Sequence, residues 1–561
     1  MKRPPDRKLR IGLLMDSLMT PAWVYDMLAR IDASDYAQIS LLILNNGQKK
    51  PPGFFNKLRI RLKYLFFVLY TKIDRFLFRV PHDAFKNKDI TTLLKDAPVI
   101  PVTPRMTKFC DYIEGESIKE IKSYDIDIFI RLGFRILKGD ILRISRYGIW
   151  SYHHGDYKVN RGLPSGFWEV LNNVPITGSV LQILTDELDN GQILFRSLSG
   201  TDISSVNRNR NKFYRKSQSF LPRKLEELYN KGDEEFFKSV TEQNKDLVFY
   251  SQPLYTAPGN WQLFGRLIKY ILRYARIRIN YILFYTQWFL MYDLRDQIST
   301  SLWRYKKMLP PVDRFWADPH VIFRGNYYYI FIEEYMYKSR KGHISVIKMD
   351  DKGNYEQPVK VLDRPYHLSY PFVMEYENDY YMIPESKANR TIEVYKCQRF
   401  PDMWEPFKVL MKDIAAADAT LFYHNNKWWM FVNIVENPGA SVLDELFLFY
   451  ADTPFSESWT PHPRNPIVSD VTSARPAGKI FTWKNDIYRP SQNSIRGYGY
   501  GIKMNKILTL DENDYQEIEV TSIEPNWDKK IKGVHTFNHE NKLSIIDARF
   551  LRWNYLQNKR Y

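Results

Sequence analysis

Between Gly148 and Leu194 the chain reads GIWSYHHGDYKVNRGLPSGFWEVLNNVPITGSVLQILTDELDNGQIL. An apolar run from Ile141 to Trp150 stops at Ser151, His153 and His154. A helix pattern, an apolar strand from Ser179 to Leu184 and an acidic turn holding Asp189 follow. Histidine is the side chain whose charge changes near neutral pH. A carboxylate bonded to one ring nitrogen fixes the tautomer and raises the basicity of the other. The pattern predicts a proton-transfer pair, His153 with Asp189, at the open end of a strand. His153 and His154 are not read as a metal site, because adjacent side chains on a strand diverge.

A second set of chemically capable residues recurs in the carboxyl-terminal half. Five similar stretches begin at Ala317 (ADPHVIFRGNYYYIFIEE), Tyr370 (YPFVMEYENDYYMIPES), Ala417 (ADATLFYHNNKWWMFVN), Arg475 (RPAGKIFTWKNDIYRPSQ) and Val534 (VHTFNHENKLSIIDAR). Their spacing is roughly fifty to sixty residues, and further strand patterns lie between them. Four strands per unit and five units predict a five-bladed β-propeller; a β-sandwich is the alternative. In a propeller the residues at the start of each unit converge, here Asp318, Pro371, Asp418, Arg475 and His535. Glu385, Glu333, Gln492 and Arg549, at the ends of second strands, are also within reach. Carboxylates, Arg, His and aromatics in one pocket suit a sugar or sugar phosphate, and paired carboxylates suit glycosidic chemistry. The structural alternative is that Asp318 and Asp418 only cap strand turns.

The elements that must position these residues are legible in outline. Leu9–Met15 reads as a buried strand, residues 21–31 as a helix and residues 38–44 as a second strand, the opening of a parallel α/β sheet. Ligands of such sheets bind beyond the carboxyl ends of the strands, where His153 falls. Lys57 to Val80 is a basic aromatic insertion, and Leu263 to Leu290 a second one with Arg266, Lys269, Arg273 and Arg276 at helical spacing. Each can pack on the body of the protein with its basic face in water, or lie on an anionic membrane surface. Residues 202–244 are polar and helix-like. The expected organisation is an α/β Rossmann-like unit over residues 1–250, a basic amphipathic helical linker over 251–291 and an all-β five-bladed propeller over 292–561.

Composition narrows the function classes. The 561 residues carry 81 Lys and Arg against 64 Asp and Glu, a formal charge of +17 that favours phosphorylated or anionic partners. The basic stretches contain no nucleic-acid module, so a nucleic-acid partner is not expected. Two cysteines far apart, Cys110 and Cys397, make no disulfide framework. There is no Cys/His metal cluster, P-loop or glycine-rich dinucleotide fingerprint in the sequence. No run reaches the ~18 apolar residues of a spanning helix. A cytoplasmic protein, peripheral at the inner face of the cell membrane, is the expectation.

The Gly148–Leu194 stretch resembles the catalytic half of the folate-dependent formyltransferases. Arg161-Gly162, Thr177-Gly178 and Leu188-Asp189-Asn190-Gly191 stand in that family's register, and Asp125–Leu137 resembles its preceding strand with a glycine turn at Gly133. Ser151-Tyr152-His153 replaces the family's Asn-x-His, and Gly155-Asp156-Tyr157-Lys158 its Ser-Leu-Leu-Pro loop. The resemblance implies a formyltransferase domain using 10-formyltetrahydrofolate. His153 would relay the amine proton, Asp189 would orient it and Ser151 would donate to the oxyanion. His154, Asp156, Arg161 and Gly133 would shape the substrate side. The repeats resemble the five-bladed fold of family-43 glycoside hydrolases and, more closely, the amino-terminal domain of glucosaminyl inositolphosphorylceramide transferases. The acids run Asp318, Glu385, Asp418, where the hydrolase order is Asp, Asp, Glu. The expected function is formyl transfer to a nucleotide-linked or glycan amino sugar in surface-polysaccharide synthesis. A glycosyl or sugar-phosphate transferase acting in the propeller is the alternative, and a non-catalytic glycan-binding scaffold the second.

Overall fold

A computed structural model of the chain describes residues 7–47, 53–156, 158, 160–186, 191–246, 249–251 and 253–554. The chain is mostly β, with an α/β amino-terminal region. It divides into one compact unit of Met1–Ile271 with Asn437–Ser441, and a second of Leu272–Glu436 with Val442–Tyr561.

The first unit is built on a seven-stranded sheet. Leu9–Met15 (LRIGLLM) lies near its middle, with Ile11, Leu13 and Leu14 fully buried, as an apolar strand covered on both faces must be. It pairs in parallel with Ala37–Asn45 and with Ile128–Arg131. The Ala22–Asp32 helix covers one face by burying Trp23, Val24, Met27, Leu28 and Ile31. Ile149–His153 is the junction strand: parallel to Ile128–Arg131 on one side, antiparallel to Ile176–Ile183 on the other. The apolar run expected to continue through Trp150 is broken. Asp140–Arg143 forms a 3₁₀ turn between Gly139 and Gly148, both at positive φ, and the strand starts only at Ile149. Ser151 and His153 therefore lie within the strand on one face, and Trp150, Tyr152 and His154 turn to the other. Helices Val206–Ser217, Phe220–Lys231 and Asp233–Gln243 form the polar helical segment.

The Asn260–Leu283 helix gives way to the strand Phe284–Leu294, which occupies the end of the stretch expected to be linker. The reason is pairing: FYTQWFLMYDL is aromatic-rich and lies antiparallel to Leu543–Trp553 along its whole length.

The second unit contains five four-stranded antiparallel sheets. Four are made of strands consecutive in sequence, spanning 314–362, 369–412, 416–461 and 481–523. The fifth combines Lys306–Met308 and Phe284–Leu294 with Leu543–Trp553 and Phe537–Glu540. The first strands of three sheets carry the same irregularity, a register shift at Ala317/His320, Ser369/Phe372 and Ala417/Thr420. At each shift a non-glycine residue has positive φ: Asp318 at 51°, Tyr370 at 43° and Asp418 at 56°. A bulge of this kind bends the strand and re-aims one side chain. Neighbouring sheets are tied there. The Tyr370 hydroxyl shares a hydrogen bond of 2.8 Å with Thr420 Oγ1 and accepts one from Gly478 N at 3.0 Å, while Phe537 N donates to Ala477 O at 2.8 Å.

Gly478 is required at this convergence. It has φ +123°, and a Cβ there would sit 1.9 Å from the carbonyl oxygen of Phe537. Gly478→Ala is expected to destabilise the second unit by ~2 kcal/mol or more. Gly325→Ala, at positive φ but with nothing within 4 Å, should cost only ~1 kcal/mol. Urea unfolding midpoints of the two variants check the order.

Candidate functional site

In the first unit the junction strand presents His153 at partial exposure, and its Nε2 lies 3.1 Å from the backbone oxygen of Asn160. Nε2 must donate to that carbonyl, which leaves Nδ1 as the acceptor nitrogen. Asn160 is itself fixed by donating from Nδ2 to Glu169 Oε1 at 3.0 Å. Asp189, the expected partner of His153, lies outside the described residues.

The other candidate side chains of this unit are held by neighbours in the fold. Ser151 is 1% exposed; its hydroxyl accepts from Arg131 Nε at 3.0 Å and donates to Tyr152 O at 3.4 Å, so it is engaged in the strand and not presented to an oxyanion. His154 is enclosed by aromatic rings. Its ring stacks on Tyr152 and lies 3.7 Å from the Tyr214 ring and 5.2 Å from Trp23, with both ring nitrogens buried. Burial holds its pKa well below the usual value, so it is a neutral aromatic core residue. Asp156 is consumed internally, paired with Arg196 at 2.8 Å and capping Lys158 N at 3.1 Å. Gly178 is the glycine that lets Asp156 in, since a Cβ there would meet Asp156 Cα at 2.6 Å. Arg161 stacks over Tyr250 at 4.7 Å. Gly133 makes a close backbone approach, its would-be Cβ 2.4 Å from Asp16 N.

The second unit gathers the other candidates. Asp318, Glu385, Asp418, Arg475, Gln492 and His535 are each at most 8% exposed. Arg475 donates from Nε to Asp418 Oδ2 at 2.5 Å and from Nη2 to Asp418 Oδ1 and Glu385 Oε2, both at 3.1 Å. Gln492 Nε2 donates to Asp418 Oδ2 at 3.3 Å. His535 bridges two carboxylates, with Nε2 3.1 Å from Asp318 and Nδ1 2.9 Å from Asp547. Thr536 Oγ1 donates to Asp318 Oδ1 at 2.9 Å, and Tyr370 N to Asp318 Oδ2 at 3.2 Å. Tyr370, not the expected Pro371, is the second repeat's contribution, because the bulge turns residue 370 where Asp318 and Asp418 turn. Glu333 lies at the edge, 3.5 Å from His367 Nε2. Gly342 N donates to His367 Nδ1, so the ring proton faces Glu333. Arg549 instead stacks over Trp288 at 5.5 Å.

Residues outside the expectation complete the cluster. Asp547 lies in the second strand of its repeat, two residues before Arg549, which pairs with Gly533 as Glu333 pairs with Ala317 and Glu385 with Ser369. Tyr498, from the loop SIRGYGYG, lies over Arg475 at 5.1 Å and against the His535 ring at 5.1 Å. It is 38% exposed, yet enclosure by protein pushes its phenol well above 10. Tyr498 is thus the partly exposed ring beside Arg475 and His535.

The charges are unevenly matched. Burial works against the charged form of His535, but Asp547 and Asp318 prevail and raise it to about 10. Burial likewise opposes ionisation of Asp318, and the His535 imidazolium holds it down to about 2. Burial raises Glu333 well above the usual carboxyl range, helped by repulsion from Asp318, which favours its protonated form. Burial raises Asp418 while Arg475 opposes it, and Glu385 is lowered by Arg475 against burial; the two acids share one guanidinium and titrate as a pair. Asp318, His535 and Asp547 also offer three ligand atoms within 4.8 Å of one another. A metal ion there would have to displace the imidazolium proton.

With this geometry in place, one family model falls on the second unit. The family described as "Glucosamine inositolphosphorylceramide transferase 1, N-terminal" matches residues 306–553. The enzyme of that name from rice (Oryza sativa subsp. japonica) is 34% identical over 209 residues, 37% of this chain and 28% of the rice protein. Methionyl-tRNA formyltransferase of Prochlorococcus marinus is 33% identical over 76 residues, 13% of this chain and 22% of its own. A family 117 glycoside hydrolase of the marine bacterium Zobellia galactanivorans aligns in structure at 12% identity and TM-score 0.32, covering 48% of this chain and 90% of the hydrolase. The chain thus spans little more than a quarter of the length of the rice relative.

The His535 ion pairs give a pH dependence of fixed sign. A pKa raised from 6.5 to about 10 contributes stability that is complete below pH 6.5 and is lost as pH rises through about 10. Urea unfolding is expected to show that decline in the unmodified protein. His535→Gln should remove this component of the slope while costing ~3–5 kcal/mol at neutral pH, because Asp318 and Asp547 are left buried without their cation.

Proposed function

We propose that the chain is a glycan transferase whose second unit is a five-bladed propeller that recognises an amino sugar beside Tyr498. One observation carries this reading. Five carboxyl groups (Asp318, Glu333, Glu385, Asp418 and Asp547) crowd two buried cations, Arg475 and His535, with Lys387 a third at the rim, 3.5 Å from Glu385. Glu333 favours its proton, so four carboxyl groups face three cations beneath a partly exposed aromatic ring, and Asp418, raised to about 8, is the one that a further positive charge would ionise. A protonated sugar amine supplies that charge, and the Tyr498 face supplies the stacking surface a pyranose ring prefers. Protonated Glu333, with the His367 Nε2–H beside it, is placed to give a proton to a leaving oxygen, and Glu385 or Asp418 to receive one. The names of the relatives that match this unit, glucosamine inositolphosphorylceramide transferases, support both the amino sugar and the transfer reaction.

The test is ligand-observed NMR of the full chain with glucosamine, N-acetylglucosamine and glucose, followed by incubation with nucleotide-linked amino sugars and a glycolipid acceptor. Glucosamine is expected to bind best. Tyr498→Ala should weaken it about tenfold or more through lost stacking, a loss of ~1–2 kcal/mol, and Tyr498→Phe should restore most of it. Equal binding of all three sugars, or indifference to Tyr498→Ala, refutes the reading.

A second reading, formyl transfer in the first unit, is favoured by the 76-residue similarity to a methionyl-tRNA formyltransferase and by the free acceptor nitrogen of His153. It would use 10-formyltetrahydrofolate and an amino-sugar amine. Mass spectrometry after incubation with both decides it: formylated product that His153→Ala abolishes supports it, and no product with any amine ends it.

A further inference from the structure

Two helices of the first unit, and the start of a third that runs on into the second, carry an apolar surface that nothing in the fold explains. The Phe54–Lys63 helix buries none of its residues among those described, although half of its sequence FFNKLRIRLK is large and apolar. Phe54, Phe55, Leu58 and Leu62 share one face and are 75%, 84%, 46% and 55% exposed. A ten-residue helix with no buried face is marginal in water. The next helix, Leu65–Leu77, is apolar on two faces. One packs inward, with Phe67 and Tyr70 against Phe167, and Tyr70 against Tyr270. The other exposes Leu65, Leu69, Ile73, Phe76 and Leu77.

The start of the Asn260–Leu283 helix joins this surface. Asn260 Nδ2 donates to Leu62 O at 2.6 Å and its Oδ1 accepts from Phe66 N at 3.1 Å, while Leu263 and Tyr270 are buried. Its outward stripe is Trp261, Phe264, Ile268 and Ile271, with Trp261 87% exposed. Phe264 meets Phe66 at 6.4 Å between ring centres, so the exposed stripes of two helices adjoin. Contiguous exposed apolar surface of this extent marks an interaction site.

The charge pattern says what covers it. The Phe54–Lys63 helix contributes Lys57, Arg59, Arg61 and Lys63, and the third helix Arg266 and Lys269 beside the stripe. Neither helix contains an acidic residue. The single acid of the middle helix, Asp74, is buried and accepts from Ser205 Oγ and Asn207 N. Flanking cations beside a Trp- and Phe-rich stripe match the interface of an anionic bilayer, where apolar side chains enter the acyl boundary and basic ones reach phosphates. Among the described residues no helix is long and apolar enough to cross a membrane. We propose that these two helices and the start of the third lie flat on a membrane of acidic phospholipids and hold the chain there monotopically.

The experiment is flotation of the full chain with vesicles of phosphatidylcholine alone and of phosphatidylcholine mixed with phosphatidylserine, at low and high salt. Binding is expected only with phosphatidylserine and is expected to fall with salt. Phe55→Ser with Trp261→Ser removes apolar contacts, and Arg59→Gln with Arg61→Gln removes charge. Each pair should weaken binding about tenfold or more with unchanged circular dichroism, since all four side chains are exposed. The proposal is overturned if the chain ignores phosphatidylserine vesicles, if it binds both vesicle types alike, or if both double variants bind as the unmodified chain does. It is overturned equally if the unmodified chain sediments as a dimer that the Trp261→Ser variant converts to monomer, because a second copy then covers the face.

Discussion

Buried charge is the constraint on which the second unit depends. Arg475 spans Asp418 and Glu385, which come from two different sheets, and His535 spans Asp318 from a third and Asp547 from its own. Each of these groups is costly to bury alone and tolerable only with its partner. The partners are distributed over separate sheets, so the sheets must meet in one arrangement for any of the charges to be satisfied. Apolar packing between sheets, as in the cluster around Tyr370, Ile383 and Met430, holds them together without prescribing that arrangement so narrowly.

The same constraint comes with strain. The bulges that turn Asp318 and Asp418 inward hold non-glycine residues at positive φ, a conformation that costs energy and persists where the surroundings enforce it. Strain and crowded carboxyl groups coincide beside the partly exposed ring of Tyr498. Strained backbone and mismatched pKa values together are features of a binding or reactive centre more than of a purely structural joint.

Much of this was legible from residue order, and the limits have physical causes. The repeat placed Asp318, Asp418, Arg475 and His535 at equivalent positions, and the structure brings them together with Glu385 and Gln492. Asp547 is not marked by the repeat, because the place in its second strand equivalent to Glu333 and Glu385 is held by Arg549, two residues further on. Tyr498 lies in a loop outside the repeat, and no periodicity points to it. Tyr370 replaced Pro371 because a bulge shifts which residue turns inward, a matter of backbone register. In the first unit, strand alternation separates Ser151 and His153 from His154, but the partners that decide their roles come from distant segments. Arg131 reaches Ser151 from the neighbouring parallel strand, and Trp23 and Tyr214 enclose His154.

The strand Phe284–Leu294 finds its long partner only in Leu543–Trp553, at the far end of its unit. During synthesis it leaves the ribosome first and waits, an unpaired apolar edge, until nearly all of the following chain has been translated. Loop closure over that separation is slow, and an open edge rich in Phe, Tyr and Trp is a template for association with other nascent chains. The unit therefore closes this sheet only once its last strand has been made, and its yield in a cell rests on how well chaperones shield that edge in the interval.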